Sequence, residues 1–383
     1  MTLRRPYGWG VTLADSFLSP ALRHYRFTMS SSVFDSIPIV DVSPALGDTP
    51  DPDFARAFTD ICHHVGFAVV TNHGIDRALV DDVFDMMHRF FALPAEQKLL
   101  IDKNASPQMR GWEPVGAETT NNAADIREQI DVWTAHPTVA DPAAPDYHRL
   151  YGPNQWLSDE VLADHQALSE RWIAALAELA DKLMASLAIG LGLEAGFFRD
   201  LFGERTMSLA KFIHYPPTPD GAAGVNPHHD AGFLTVLAPG PTAGLQVQNP
   251  KGDWIDVPVI EDTFVINLGE MIQSMSGNYL VATSHRVITT DERWSAGYFH
   301  GPSLDTSLAP LALEPRYAAA VDASPHHRSA GFMPTPAEAE AGTAAMASDH
   351  RPTTYGEQLW NYFNRSYAEA MANHHGDVLE RAL

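Results

Sequence analysis

One cysteine in 383 residues, Cys62, leaves no partner for an intramolecular disulfide and suits a reducing cytoplasm. Cys62 lies in an apolar stretch and reads as a buried thiol. The chain has no run of about 20 apolar residues, so no membrane-spanning helix is expected, although 45% of its residues are hydrophobic. Positive charge is the other scarcity. Lys and Arg number 25 against 48 Asp and Glu, and the net charge of −23 argues against nucleic acid or an anionic membrane as partner, because either calls for a cationic surface. A small organic substrate fits better. The first 28 residues hold Arg4, Arg5, Arg23 and Arg26 but no secretory apolar core, and read as a disordered extension with Met29 as an alternative start. No internal repeat recurs at a fixed period.

Histidine is plentiful, at 18 residues, so chance pairings are easy to find and only order and spacing carry weight. His228-x-Asp230 is followed 55 residues later by His285 and, eight residues beyond that, by Arg293-x-Ser295. Two neutral imidazoles and one carboxylate form the ligand set that holds non-haem Fe(II) on one face and leaves the other positions open for O2 and an organic acid. An Arg and a hydroxyl at i and i+2 could grip that acid's far carboxylate.

Residues i and i+2 of a strand project from the same face of a sheet, so His228 and Asp230 would point inward together. His229, between them, would turn away as a packing or supporting residue. His285-Arg-Val-Ile288 and Arg293-Trp-Ser-Ala-Gly-Tyr-Phe299 read as two strands joined by the polar turn Thr289-Thr-Asp-Glu292, a hairpin that would set the third ligand beside Arg293 and Ser295. A closed zinc site would want a fourth protein ligand, and no well-placed Cys or His accompanies the three.

Beyond these five residues, the chain resembles the isopenicillin N synthase-like branch of the Fe(II)/2-oxoglutarate-dependent dioxygenases. The resemblance rests on Ile37-Pro-Ile-Val-Asp41, Gly66-Phe67, Asn72-His-Gly74, Phe90-Phe91-Ala-Leu-Pro94 and Arg110-Gly-Trp112. It continues in Tyr215-Pro-Pro217, His228-His-Asp-Ala-Gly-Phe-Leu-Thr235, Gly244-Leu-Gln246, Asn267-Leu-Gly269, Ser284-His-Arg-Val287 and Arg293-Trp-Ser295, covering roughly residues 36 to 305. Two departures stand out. Gly269-Glu270 replaces the usual Gly-Asp, a same-charge change that should leave the turn intact, and His214-Tyr215 replaces Tyr-Tyr before the two prolines.

The resemblance implies Fe(II) on His228, Asp230 and His285, with 2-oxoglutarate as cosubstrate, O2 as oxidant and ascorbate as a reductant. Arg293 would pair with the 5-carboxylate of 2-oxoglutarate and Ser295 would add a hydrogen bond. Tyr215 matches a tyrosine that helps hold 2-oxoglutarate, or else only caps a strand end. The expected reaction is oxidative decarboxylation to succinate and CO2 coupled to hydroxylation or desaturation of a small metabolite. A 2-oxoglutarate-independent oxidase or cyclase of the isopenicillin N synthase type, or an ethylene-forming reaction, are alternatives. Met109, Trp112 and Arg127 are candidate substrate contacts; the sequence carries no signal of oligomeric state.

The expected fold is mainly β with helices, an α+β arrangement with a double-stranded β-helix, or jelly-roll, core and N-terminal helical support. Residues 36–160 form the N-terminal α/β region, 161–204 a supporting helix, 205–305 the jelly roll, and 306–383 a C-terminal extension. The spacing predicts helices over Phe54–His64, over 76–91 and over 158–190, the last with an apolar stripe running from Leu162 to Leu187. Phe212, Leu234, Leu245 and Val247 would line a dry barrel or simply fill its core. A final helix around Tyr355 to Ala372 would cover the site's opening or dock on the body.

Overall fold

The computed structural model describes residues 33–120, 123–218, 222–324, 326–327 and 353–379. The N-terminal extension and the polar stretch at 335–347 lie outside these residues. The described chain opens with β1 (Ile39–Asp41), α1 (Pro52–His64), β2 (Phe67–Thr71), α2 (Arg77–Phe91) and the short α3 (Ala95–Lys98). Strands β3 (Gly111–Glu113), β4 (Thr119–Thr120), β5 (Ala123–Ala124) and β6 (Glu128–Trp133) precede α4 (His165–Gly190) and α5 (Phe197–Phe202). Next come β7 (Leu209–Tyr215), β8 (Ala223–His228), β9 (Leu234–Ala238), β10 (Leu245–Gln248), β11 (Trp254–Asp256) and β12 (Phe264–Leu268). Helix α6 (Glu270–Met275), β13 (His285–Ile288), β14 (Arg293–His300), α7 (Pro315–Asp322), α8 (Tyr355–Ser366) and α9 (Ala368–Leu379) complete it.

Strands β7 to β14 divide between two sheets, alternating except that the hairpin β10–β11 lies wholly in the smaller one. The larger has the order β1-β2-β12-β9-β14-β7-β6-β3 and the smaller β11-β10-β13-β8, so four strands of each form the jelly roll and the N-terminal strands extend the larger sheet at both edges. The period-2 pattern of β12 shows how both faces are filled. Phe264, Ile266 and Leu268 pack in the core shared with α1, α2 and α4, whereas Val265 turns to a second core with Phe67, Val69, Val225, Val247 and Val287 between the sheets.

Local chemistry sets the helix ends. The carboxylate of Asp51 accepts hydrogen bonds from the backbone N–H of Asp53 and Phe54, with Pro52 at the first turn, and starts α1; Asp76 caps α2 in the same way. Helix α4 begins at His165, later than the periodicity predicts, because Asp164 sits at φ 64°, a left-handed residue that no helix can run through. The last helix is broken in two, α8 and α9, by the non-helical backbone of Tyr367 at φ −133° and ψ 42°. Cys62 is buried, and burial pushes its thiol pKa up.

One expectation is corrected. β13 and β14 do not pair as a hairpin: β13 lies between β10 and β8 in the small sheet, and β14 between β9 and β7 in the large one. The polar turn 289–292 carries the chain from one sheet to the other, because the apolar faces of both strands are buried across the sandwich rather than side by side.

Candidate metal and cosubstrate site

His228 ends β8 and His285 begins β13, and the two are direct partners in the antiparallel register. Their ring centroids lie 4.2 Å apart. Asp230 sits just past the end of β8, so strand alternation alone does not aim it. The loop it begins is held by the start of α6: the Glu270 N–H donates to Asp230 O at 2.7 Å, and the Met271 N–H is shared between the carbonyls of Ala231 and Gly232. Asp230 Oδ1 then lies 3.8 Å from His228 Nε2 and 3.6 Å from His285 Nε2. Among the described residues these three form the group of ligand-type side chains whose donor atoms converge within 4.8 Å.

The surrounding hydrogen bonds leave one lone pair of each ligand free. His228 Nδ1 and His285 Nδ1 face the backbone carbonyls of Asn226 and Thr283 at 2.9 and 3.1 Å, which places the ring proton on Nδ1 and keeps Nε2 unprotonated toward the centre. Burial, with His285 next, pushes His228 down to about 3, so it is neutral at physiological pH. Asp230 Oδ2 accepts from Thr235 Oγ1 at 2.5 Å and Asn267 Nδ2 at 2.6 Å, and Oδ1 is left for the cluster. Burial alone would raise this carboxyl, yet the two imidazoles and these two hydrogen bonds bring it below its ordinary value. This donor set fits a divalent transition metal bound on one face.

His229 stays out of the cluster, as expected, but it is exposed rather than packed, and its Nδ1 lies 3.9 Å from Glu270 Oε1. The Gly-Glu step keeps its turn: Gly269 precedes α6 and Glu270 is its first residue. A Cβ on Gly269 would meet Gly232 O at 2.3 Å, in the loop that carries Asp230. Gly269→Ala is therefore expected to push that loop away, with a stability cost of about 1–3 kcal/mol and a weaker hold on metal. Thermal denaturation together with an Fe(II) titration checks this; unchanged iron affinity would disconnect the loop from the site.

Arg293 opens β14 and is the direct register partner of Tyr215 at the end of β7. Its side chain is 1% exposed, lies 4.9 Å over the Tyr215 ring, and donates from Nη1 to Ser295 Oγ at 3.3 Å. Among the described residues Nε and Nη2 are buried without hydrogen-bond partners, although Tyr215 supports the guanidinium's charge. Burial lowers the guanidinium's pKa, and a buried cation with two idle N–H groups is costly unless an anion meets it. A Cβ on Gly224 would touch Tyr215 at 2.7 Å, so the tyrosine packs on β8 four residues before His228. Arg293, Ser295 and Tyr215 thus stand together where β7 and β14 pair.

A cavity of about 350 Å³ opens from His228 and Asp230. Its walls come from β6, β7, the loop before β6 and helix α8, which contributes Tyr355, Gln358, Leu359 and Tyr362. The C-terminal helix therefore does more than dock on the body. Leu234 lines this cavity, while Phe212, Leu245 and Val247 are core residues. Of the three loop candidates only Arg127 reaches it: Met109 is wholly buried, and Trp112 donates its Nε1 hydrogen to Glu128 Oε2 at 2.9 Å. Sequence reasoning missed the ionic wall around Glu118, Asp131 and Lys211, because charged residues on β6 and β7 carry no local pattern that marks them as buried.

Residues 37–159 match the family profile described as the non-haem dioxygenase in morphine synthesis N-terminal region, and residues 205–302 match the 2OG-Fe(II) oxygenase superfamily. The chain is 33% identical over 285 residues to the 2-oxoglutarate-dependent dioxygenase frbJ of Dothideomycetidae sp. (strain 11243), covering 72% of this chain and 76% of that one. It is 30% identical to the homoarginine-6-hydroxylase 2-ODD-233 of Oryza sativa subsp. japonica, covering 73% and 90%. A full-length Neurospora crassa protein whose crystal structure holds alpha-KG and thymine superposes with a TM-score of 0.63 at 25% identity, over 74% of this chain and 91% of that one.

Proposed function

Since the chain belongs to the 2-oxoglutarate–Fe(II) oxygenase superfamily, in its isopenicillin N synthase-like branch, we propose that His228, Asp230 and His285 hold its iron and that Arg293, Ser295 and Tyr215 hold the far carboxylate of 2-oxoglutarate. The enzyme is an Fe(II)- and 2-oxoglutarate-dependent dioxygenase acting on a small molecule. The iron, when bound, couples O2 and the oxidative decarboxylation of 2-oxoglutarate to succinate and CO2 with oxidation of a substrate C–H bond.

The protein's own residues supply position and exclusion. The carbonyls of Asn226 and Thr283 hold the imidazoles in the ligating tautomer, and Thr235 with Asn267 fixes the carboxylate. Arg293 offers two free N–H groups to a carboxylate in a site from which water is excluded by Tyr215 and the core between the sheets. The three converging donor groups, together with a buried guanidinium whose Nε and Nη2 have no hydrogen-bond partner among the described residues, are the observation that carries the reading. The relatives' names give no support to the 2-oxoglutarate-independent oxidase or the ethylene-forming reaction. Ascorbate enters the reading only as the reductant that keeps iron ferrous. The single cysteine and the net charge of −23 support a reducing cytoplasm and a metabolite, rather than nucleic acid or a membrane, as the working environment and partner.

The test is succinate formation by anaerobically purified protein given Fe(II) and 2-oxoglutarate and then exposed to air. Slow uncoupled succinate release, lost when Zn(II) replaces Fe(II), is the expected result. Bound 2-oxoglutarate with no dependence of its affinity on Arg293 would overturn the cosubstrate assignment.

A further inference from the structure

A continuous chain of buried ions backs the cavity next to the triad; Glu118, Arg127, Lys211 and Asp131 line it, and Asp125, Lys103 and Glu113 stand behind them. Asp125 Oδ2 lies 3.1 Å from Arg127 Nη2, which lies 2.6 Å from Glu118 Oε2. Glu118 Oε2 is 3.1 Å from Lys211 Nζ, itself 3.7 Å from Asp131 Oδ1; Asp131 Oδ2 is 2.7 Å from Lys103 Nζ, and Lys103 reaches Glu113 Oε1 at 3.1 Å. None of these side chains is more than 12% exposed. Helix α8 and the break that follows it close on this network through two phenols: Tyr362 of α8 donates to Glu118 Oε1 at 3.0 Å, and the hydroxyl of Tyr367, at the break, meets Glu113 and Lys103. Burial raises the pKa of both phenols, so neither adds charge.

The four ions that line the cavity balance, two against two, whereas over the whole network four carboxylates face three cations, so one negative charge in excess sits behind the lining, where Thr120 and Asn226 donate to Asp125 and Gln129 and Tyr367 to Glu113. The rest of the site does not absorb it. On the reading above, Fe(II) with Asp230 and Arg293 with dianionic 2-oxoglutarate cancel one another. Independently of the charge count, two residues that line the cavity hold buried acceptors without hydrogen-bond partners: Asp131 Oδ1 and, from α8, Gln358 Oε1. Asp131 is 3% exposed and Gln358 9%. Arg127 Nε and Trp133 Nε1, on two further lining residues, are donors without hydrogen-bond partners.

We infer that this cavity receives a small organic cation, an ammonium or guanidinium whose N–H groups meet the acceptors of Asp131 and Gln358 and whose charge offsets the excess negative charge of the network behind the lining. The inference rests on the dioxygenase site and deepens it by naming the substrate's chemistry. The free donors of Arg127 and Trp133 suit an acceptor elsewhere on the same molecule, as in a basic amino acid. One curated relative carries homoarginine in its name, and homoarginine is a cation of this kind.

The experiment is calorimetric titration into anaerobic protein loaded with Fe(II) and 2-oxoglutarate. The probes are homoarginine, arginine, agmatine and lysine, set against the neutral isosteres homocitrulline and citrulline and against thymine. At least one cation is expected to bind about tenfold or more tighter than its neutral isostere, since a charge-assisted contact in a desolvated site carries at least that factor. Gln358→Leu, on the surface-docked helix α8, should narrow that gap, and Asp131→Asn should abolish it if the variant keeps its circular dichroism spectrum. No preference for any cation over its isostere, with 2-oxoglutarate still bound, would overturn the inference and leave the dioxygenase reading standing. Failure of 2-oxoglutarate itself to bind would overturn both.

Discussion

His228→Ala and His285→Ala are each expected to abolish iron retention and to bring Fe(II)-dependent succinate formation below detection. Each imidazole provides one of three inward donor atoms, and their Nε2 atoms stand 3.8 and 3.6 Å from the shared Asp230 Oδ1. Loss of the hydrogen-bonded partners behind such ligands already costs about 10- to 100-fold in metal affinity, and loss of the ligand itself costs more. Asn267→Ala should fall within that smaller range, since it removes one of the two hydrogen bonds to Asp230 Oδ2, leaves that from Thr235, and keeps all three donors. His229→Ala should leave iron content near the wild-type level, because that ring is exposed and lies outside the cluster. Iron content after dialysis, measured beside a circular dichroism melt, separates the cases. Equal loss of iron from all three histidine variants would show that the direction of the side chain does not decide ligation here.

How far such a site can be read from sequence depends on how local its cause is. His228, Asp230 and His285 were legible as a candidate ligand set because metal ligation needs particular donor types in a particular order; of the two strands involved, β13 alternates between buried and half-buried positions and β8 does not. The strand alternation that pairs His228 with Asp230 is an incomplete reason. Asp230 is aimed by backbone N–H groups at the start of α6, about 40 residues away in the chain, and no pattern within the strand announces that contact. The supposed hairpin failed for a related reason. A polar turn between two apolar strands is the same whether the strands pair or cross from one sheet to the other, and only the burial of both faces across the sandwich decides. Glu118, Asp131 and Lys211 read as solvated charges by type, and their burial is visible only once β6, β7 and α8 meet. Composition and charge, by contrast, spoke about partners and not about architecture.

Arg293→Ala is expected to raise the KM for 2-oxoglutarate by about 10- to 150-fold, the factor that corresponds to about 1.5–3 kcal/mol for hydrogen bonds to a charged group. The direction of its effect on stability is what distinguishes binding from scaffolding. Among the described residues Nε and Nη2 of Arg293 lack hydrogen-bond partners and the guanidinium has Ser295 and Tyr215 for support, so burying its charge is expected to cost the fold more than these contacts return. Removing it should leave the melting temperature unchanged or higher when no 2-oxoglutarate is present. Adding saturating 2-oxoglutarate should raise the melting temperature of the wild type and raise that of the variant far less, because only the wild type gains a partner for the buried charge. Arg293→Lys keeps the charge and loses the planar fork, so it should recover part of the affinity and not all of it. A residue that merely braced the end of β14 would give the opposite pattern, with a lower melting temperature in every condition and an unchanged KM. That outcome would move the carboxylate of 2-oxoglutarate away from Arg293 and make Arg127, a buried guanidinium that lines the cavity with His228, the group to test next.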